Sequence, residues 1–305
     1  MERTFSEKLN DRILGVLPVG WQFRARYLFS RIRQRFIGPY AEAVLTNGWN
    51  GTLLVGSSDY QVGRLLAFKG RYDTEAVTSL LARISPGSDV LVVGTHVGSI
   101  LVPLAKKAGK LAGIEANPDT FRLLQMNVLL NGLSNTDLYN VAAGDRDGEI
   151  EFLMNRHNSG GSKAIHGWLE KNPLFFYDNP RTVRVPVRSL DGLFPERQFD
   201  LVVMDIEGSE YFAFLGMEQI LRRCSALQVE VSRISIENVA HITPLQFVAP
   251  LKRHFTRARV LTAGGKEEHA REFTGPEFDA MMTTLCSGRD ASYDILFLKG
   301  DNTGA

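Results

Sequence analysis

Cysteine is nearly absent. The chain of 305 residues carries two, Cys224 and Cys286, far apart and in no metal-binding spacing. That excludes a disulfide framework or a cysteine-built zinc centre and predicts free thiols in a reducing compartment. The six histidines include no HxH or HxxxH pair, so no metal residues are expected from that pattern. An excess of charge is also lacking. With 35 Lys and Arg against 34 Asp and Glu the net charge is +1, which gives no global pull toward nucleic acid or anionic lipid. No apolar run approaches the roughly 18–20 residues that span a bilayer. The first residues, Met1-Glu2-Arg3-Thr4-Phe5-Ser6-Glu7-Lys8, lack the apolar core of a secretion signal. A cytoplasmic protein is expected.

What is present is a chain of ordinary apolar content, long enough to bury a large core, with one informative stretch. Val90-Leu91-Val92-Val93 runs into Gly94-Thr95-His96-Val97-Gly98, and Gly113-Ile114 runs into Glu115-Ala116-Asn117-Pro118. An apolar strand feeds a glycine turn, the turn opens a helix, and a second strand ends in a carboxylate about 20 residues on, the order of a nucleoside-binding unit. The turn is GxxxG and not the GxGxxG that brings a pyrophosphate onto a helix N-terminus. This spacing suits a smaller nucleoside whose charged part is an amino acid, namely S-adenosylmethionine. The plainer alternative is a tight turn before an ordinary helix.

The rest of the chain alternates. Phe5, Leu9, Ile13 and Leu17 recur at helical spacing. A segment from about Trp21 to Phe36 sets Arg24, Arg26, Arg31, Arg33 and Arg35 among Phe23, Tyr27, Leu28, Ile32 and Phe36. Such a stretch either makes peripheral contact with a membrane or an acidic partner or packs on its own domain with its arginines in water. Short strands are expected at Thr52–Val55 and Arg64–Phe68, and a helix over Tyr72–Ile84. Then come strand Asp89–Val93, helix Gly98–Ala108, strand Leu111–Glu115, helix Pro118–Leu130 and strand Asp137–Ala142. Asn117 is a natural N-cap before Pro118, and Asn131-Gly132 stops that helix. A strand at Glu149–Leu153 leads into a long loop over Asn155–Arg181 that holds His157, Lys163, His166, Trp168 and Tyr177; a loop of this length is a lid, a binding loop or a surface excursion. Strands follow at Thr182–Val187, Leu201–Asp205 and Ala226–Val231. The tail reads as helix Pro244–His254, strand Arg257–Leu261, helix Pro276–Leu285 and strand Tyr293–Leu298.

Strands alternating with helices imply a parallel sheet covered on both faces, with ligands at the carboxyl ends of its strands. Gly94, Glu115, Ala142, Asp205 and Glu230 all fall at or near such ends. Gly94, Thr95, His96, Gly98, Glu115 and Ala116 are the candidate cofactor residues, with Asn140 and Ala142 beside the adenine; Asp145 either touches the same edge or forms a turn.

With these motifs in order, the chain resembles the FkbM-type family of S-adenosylmethionine-dependent methyltransferases from about Leu66 to Val231. The resemblance rests on Gly70-Arg71-Tyr72-Asp73, the turn Val92 to Gly98, Glu115-Ala116-Asn117-Pro118, and Leu124 to Gly132 with its Asn127 and Asn131. It continues through Ala142 to Gly148, Ser189-Leu190-Asp191, Asp205-Ile206-Glu207-Gly208-Ser209-Glu210, and Glu230-Val231. The chain departs from the family pattern at Val92 (an Asp), His96 (an Asn) and Met204 (often a Lys). The resemblance implies a class I methyltransferase fold: a Rossmann-like, doubly wound α/β sheet of about seven strands, mostly parallel with an antiparallel last strand. Residues 1–45 would form an N-terminal helical extension and residues 46–305 the methyltransferase domain.

It also implies O-methylation of a sugar, glycolipid or secondary metabolite, so the expected partner is a small-molecule, sugar or lipid-linked acceptor. Asp205 and Glu207 are the candidate catalytic residues. A carboxylate at the rim can take the acceptor's proton or, with Glu207 or Glu230, hold a divalent metal that acidifies it, although nothing in the sequence requires a metal. Alternatively Asp205 caps a turn while Glu207 and Glu210 begin a helix, where acids are favoured. Three other functions compete: a catalytically weak or inactive cofactor-binding module, a nicotinamide-dependent oxidoreductase, whose GxGxxG is missing, and a nucleic-acid methyltransferase. No nucleic-acid partner is expected, because the core shows no basic stripe.

Overall fold

A computed structural model describes residues 19–167, 173–262, 266–287 and 292–300. The helical periodicity of Phe5 to Leu17, and Trp168 in the long loop, lie outside these residues. The chain opens with helix α1 (Val19–Ile37) and a hairpin of β1 (Ala43–Gly48) and β2 (Gly51–Gly56). The body follows as β3 (Asp89–Val93), β4 (Lys110–Ile114), β5 (Thr136–Tyr139), β6 (Ala142–Ala143), β7 (Gly148–Met154), β8 (Lys163–Ala164), β9 (Arg181–Arg188), β10 (Leu201–Met204), β11 (Ala226–Ser232), β12 (Arg257–Thr262), β13 (Lys266–Thr274) and β14 (Ser292–Leu298).

Among the described residues the main sheet has eight strands in the order β13-β12-β14-β11-β10-β3-β4-β5. The block β11-β10-β3-β4-β5 is parallel, and β14 lies antiparallel to both of its neighbours. Apolar side chains fill both faces. Leu91, Val93, Val202 and Met204 pack on one side with Phe214, Phe247 and Phe297, while Val90, Val92, Leu201 and Val203 pack on the other with Leu101, Leu104 and Leu124. Neighbouring residues on one strand therefore serve opposite cores, as the two-residue period of a strand requires.

Several expected elements change. Arg64–Phe68 is helical, inside Val62–Lys69. The Asp59 carboxylate accepts the Gln61 and Gly63 amides at its start (2.9 Å each), and left-handed Gly70 ends it, so local start and stop signals outweigh the strand-like composition. The expected strand Asp137–Ala142 breaks in two. β5 stays in the main sheet, while β6 joins a second sheet of order β6-β9-β7-β8. The expected loop carries β8 and a short helix at Pro173–Phe176. β13 adds an edge strand that the polar composition of Lys266–Thr274 does not announce.

The hairpin β1–β2 is stapled to the body by asparagines. Asn127, fully buried, accepts the Leu54 amide (2.6 Å) and donates to Leu54 O (3.0 Å) and to Val97 O in the glycine turn (2.8 Å). Asn131 makes the same two-way contact with the backbone of Thr52. Asn50 accepts the Tyr72 amide and donates to Tyr72 O and Ser99 O, all at 2.8 Å. Buried amides need such partners, and here they fix the Gly70–Asp73 segment above the strand tips.

Candidate active site

Strand register alone builds one rim. Ile114 pairs with Val93, Val93 with Met204, and Met204 with Val229. The next residues, Glu115, Gly94, Asp205 and Glu230, therefore stand side by side, and Glu230 pairs directly with Asp294 on β14. The rim coincides with the point where strand order reverses, between β3 and β10, which is where open α/β sheets bind ligands.

Glycine is required at position 94. Its φ is +89°, and a Cβ there would run into the Asp205 carbonyl oxygen. Only a bare backbone lets β3 and β10 approach this closely. Thr95 is buried and its amide and hydroxyl both donate to Ile114 O (3.1 and 3.3 Å). His96 holds a left-handed φ of +50°. That conformation aims its amide at Glu115 Oε2 (2.7 Å) and its ring Nε2 at Ser159 Oγ (2.7 Å), and leaves its buried Nδ1 without a partner. Ser159 in turn donates to Asp59 Oδ2 (2.7 Å). Glu115 is buried. Its Oε1 accepts from the Asn117 amide (2.8 Å) and the Thr120 hydroxyl (3.1 Å). Burial raises its pKa, opposed by His96 and these donors. Oε1 thus accepts two bonds and Oε2 one, which leaves one acceptor site open on Oε2.

A cavity of about 350 Å³ opens over this rim, within the range of small-molecule sites. Gly94, Thr95, His96, Glu115 and Ala116 line its floor, and Val141, Ala142, Ala143 and Phe152 give an apolar wall at one end. Asp205, Glu207 and Glu230 line the other end, with Tyr72 and Asp73 above them. Asn158–Ser162, from the second sheet's connections, form the roof, and Arg26 reaches in from α1.

Two expected cofactor residues serve the frame. Asn140 donates to Glu115 O (2.7 Å) and Ala116 O (3.3 Å); it lies outside the lining and braces the Glu115 loop, and the neighbouring apolar wall holds the place expected for it. Gly98 also lies outside, and with φ +92° its missing Cβ leaves room for Leu124 Cδ1. Val92, where the family pattern has Asp, is packed in the core.

The acids fall into distinct roles. Glu210 is buried and accepts the Ile206 (2.9 Å) and Gly208 (3.3 Å) amides, so it holds the turn after β10. Glu207, at φ +55°, pairs with buried Lys163 (3.2 Å), which also sits 4.5 Å from the centre of the Phe175 ring. Asp205 lines the cavity and is exposed to it. Desolvation by the surrounding protein, then the charges of Glu230, Glu207, Glu210 and Asp294, push its pKa above the usual carboxylate range. Glu230 rises to about 8, first through burial and then through Glu207, Glu210 and Asp294, against a hydrogen bond with Asp205. Asp294 rises to about 6 through burial and Asp73. Like charges on adjacent strands repel, so Asp205 and Glu230 each hold a proton more tightly than an isolated carboxylate does. The sequence marked Glu230 only as a strand-end acid and a candidate partner in holding a metal, and Asp294 was overlooked; the available signal was an acid inside an otherwise apolar strand. Among the described residues no group of three or more His, Cys, Asp or Glu is placed to hold a metal ion.

His157 and His166 lie outside the cavity. His157 bonds Ser30 Oγ of α1 (2.9 Å). His166 stacks on Phe212 with ring centres 3.7 Å apart and bonds Ser209 Oγ (2.9 Å). Tyr177 hydrogen-bonds Tyr60.

A doubly wound sheet with antiparallel β14 and a cavity at its switch point defines a class I methyltransferase fold. Residues 93–295 match the methyltransferase FkbM domain, and the chain belongs to that family. No curated protein matches the sequence. Solved structures with a similar fold include a methyltransferase FkbM from Methylobacillus flagellatus KT, with 15% identity over 74% of this chain and 48% of that chain and a TM-score of 0.43. A rRNA methylase from Streptococcus thermophilus shares 11% identity over 73% of this chain and 93% of that one, TM-score 0.43. A dimethyladenosine transferase from Plasmodium falciparum shares 11% identity over 75% and 62%, TM-score 0.39. Likenesses this remote extend none of those proteins' acceptors to this chain.

Proposed function

We propose that this methyltransferase takes its methyl group from S-adenosylmethionine and delivers it to a hydroxyl oxygen of a sugar, glycolipid or secondary metabolite. The observation that carries this reading is the rim itself, where a glycine-lined turn, a buried Glu115 and the adjacent carboxyls of Asp205 and Glu230 border one cavity. The residues fit the donor. Gly94 lines the cavity with bare backbone where β3 and β10 approach, Glu115 keeps an open acceptor site on Oε2 for a ribose hydroxyl, and Ala116, Ala142 and Phe152 offer an apolar slot for a base. The acids at the other end favour a cationic group. When bound, S-adenosylmethionine supplies a methyl already activated on a sulfonium.

The protein therefore has to align the acceptor, keep water out and manage one proton. Asp205 is the group placed to do the last. Its raised pKa, shared with Glu230, brings a carboxylate base toward operating pH, where general bases are most effective. Tyr72 and Asp73 close the space above the pair, and Glu207, held by Lys163, ties the roof to the turn after β10. In this reading Asp205 is the base and Glu207, paired with Lys163, a carboxylate at the acceptor's edge. The cavity's carboxyls make no use of a metal in this scheme.

The test is turnover with donor labelled with carbon-13 in its methyl group and a panel of hydroxylated sugars and glycolipids. The methyl resonance of the product separates oxygen from nitrogen and carbon acceptors. Methoxy product supports the reading; labelled nitrogen or carbon product, or cofactor binding with no turnover on any acceptor, overturns it.

A further inference from the structure

Helix α1 is mounted with its amphipathic faces reversed. Its inner side is polar. Arg33 donates to Ser57 O (3.0 Å) and Asp59 O (2.6 Å), Ser30 is buried against His157, and Arg26 reaches the cavity. Its outer side is apolar, with Trp21 59% exposed, Leu28 58%, Phe29 59%, Ile32 43% and Phe36 88%. A helix of a globular domain normally turns such a stripe to the core. At helical spacing these side chains fall within one half of the circumference, and exposed Arg24, Arg31 and Arg35 run along one border of the stripe. The helix contains five arginines and no acid. Phe68, 74% exposed, continues the apolar surface across a cleft that it lines with Phe29.

We propose that α1 is a membrane-docking helix that lies in the headgroup layer of an anionic bilayer. Contiguous exposed apolar side chains mark an interaction surface, and the chemistry of this one selects the partner. Trp, Phe, Leu and Ile beside an arginine border match an interface that is greasy below and negatively charged above. A protein partner of ordinary polarity would leave the arginines without matching charge. No helix among the described residues is long and apolar enough to cross a membrane, so α1 lies on the bilayer. At 19 residues it presents a footprint about 28 Å long. Of the five arginines that the sequence offers for this contact, three face outward, while Arg26 and Arg33 serve the protein. The inner face of the same helix borders the cavity, so docking brings the mouth near the headgroups; this suits the lipid-linked class of acceptor and in that respect rests on the reading above, whereas the docking itself is independent of it.

The experiment is co-sedimentation of the full chain with phosphatidylcholine vesicles, with and without one third phosphatidylglycerol. Binding to the anionic vesicles is expected to exceed that to neutral ones by about tenfold or more and to weaken with added salt. Arg24→Glu/Arg31→Glu/Arg35→Glu and, separately, Leu28→Ser/Phe36→Ser should each cut it by about tenfold or more, with S-adenosylhomocysteine affinity unchanged. In a Trp49→Phe/Trp168→Phe background Trp21 is the sole indole, and its emission should shift to the blue on anionic vesicles; this readout leaves the helix itself unaltered. Equal sedimentation with neutral and anionic vesicles, an unmoved Trp21 emission, or a dimer in sedimentation equilibrium that the same α1 substitutions dissociate would each overturn the proposal. Vesicle binding without methyl transfer would leave the docking standing and strike only the acceptor reading.

Discussion

The floor and the roof of the cavity are built by different means. The floor, from β3 to β6, is held by strand register and by bonds between near neighbours in sequence, such as Asn117 to Glu115 and Thr95 to Ile114. The roof is held by bonds between residues about a hundred positions apart: Ser159 to Asp59, His157 to Ser30, and Lys163 to Glu207 at a shorter but still long span. Local geometry fixes the half that would hold the donor. The half that would meet the acceptor exists only once distant segments have come together, and few of its bonds are buried backbone ladders. Such regions open more readily than a sheet core, which leaves the acceptor side adjustable around a rigid donor side.

Substitutions in the two halves should therefore fail differently. The largest effect is expected from Asp205→Asn, at the junction. Rate should fall by about a hundredfold or more with donor affinity retained, and the rise of kcat/KM with pH that the raised pKa of Asp205 implies should disappear. Turnover equal to that of the unmodified enzyme in a pH-rate series would remove Asp205 from the chemistry. Gly94→Ala strikes the floor. It forces a left-handed residue against the Asp205 carbonyl and should cost about 3 kcal/mol or more, read as a lowered urea midpoint; an unchanged midpoint would mean that β3 and β10 are not packed as described. Ser159→Ala strikes the roof. It removes the link between Asp59 and His96 at about 1 kcal/mol. It should raise the acceptor KM while changing donor affinity less than about threefold. If the donor constant moves instead, the division of labour between the halves is wrong.

The smallest effect is in stability against pH. Because the folded protein keeps the Glu230 proton up to about pH 8, whereas the unfolded chain releases it in the ordinary carboxyl range, stability is full below that range and is lost as pH rises. Above the ordinary histidine value of 6.5, the lowered pKa values of His157 and His166 no longer contribute. Between there and about 8 the loss from Glu230 is about 1–2 kcal/mol. Thermal melts at the two pH values should show it, and Glu230→Gln should flatten it; a melt independent of pH would mean that the carboxyl pair is not shielded from water.

Legibility in the sequence follows the same division. Asp89–Val93 and Pro118–Leu130 were readable to the residue because apolar runs, the Asn117 cap and the Asn131-Gly132 stop are local signals. Gly94, Glu115 and Asp205 were readable because strand ends are. Asn140, expected beside the adenine, donates to Glu115 O and Ala116 O, a brace that sequence alone does not distinguish from a ligand contact. The second sheet was missed because β7 and β9 pair across nearly thirty residues of polar, aromatic chain with no period of its own. Glu230 and Asp294 gain meaning only from the antiparallel register of β11 with β14, which pattern reading along one strand cannot supply.

The central claim is that the donor lies over the glycine turn with its sugar held by Glu115. Calorimetric titration of S-adenosylhomocysteine into the enzyme and into Glu115→Ala addresses it directly, with a melt confirming that the variant is folded at the temperature used. Affinity should fall more than about tenfold, as expected when a buried charged acceptor of a ligand hydroxyl is removed. An unchanged dissociation constant in a folded variant would contradict the placement of the donor and, with it, the account of the cavity.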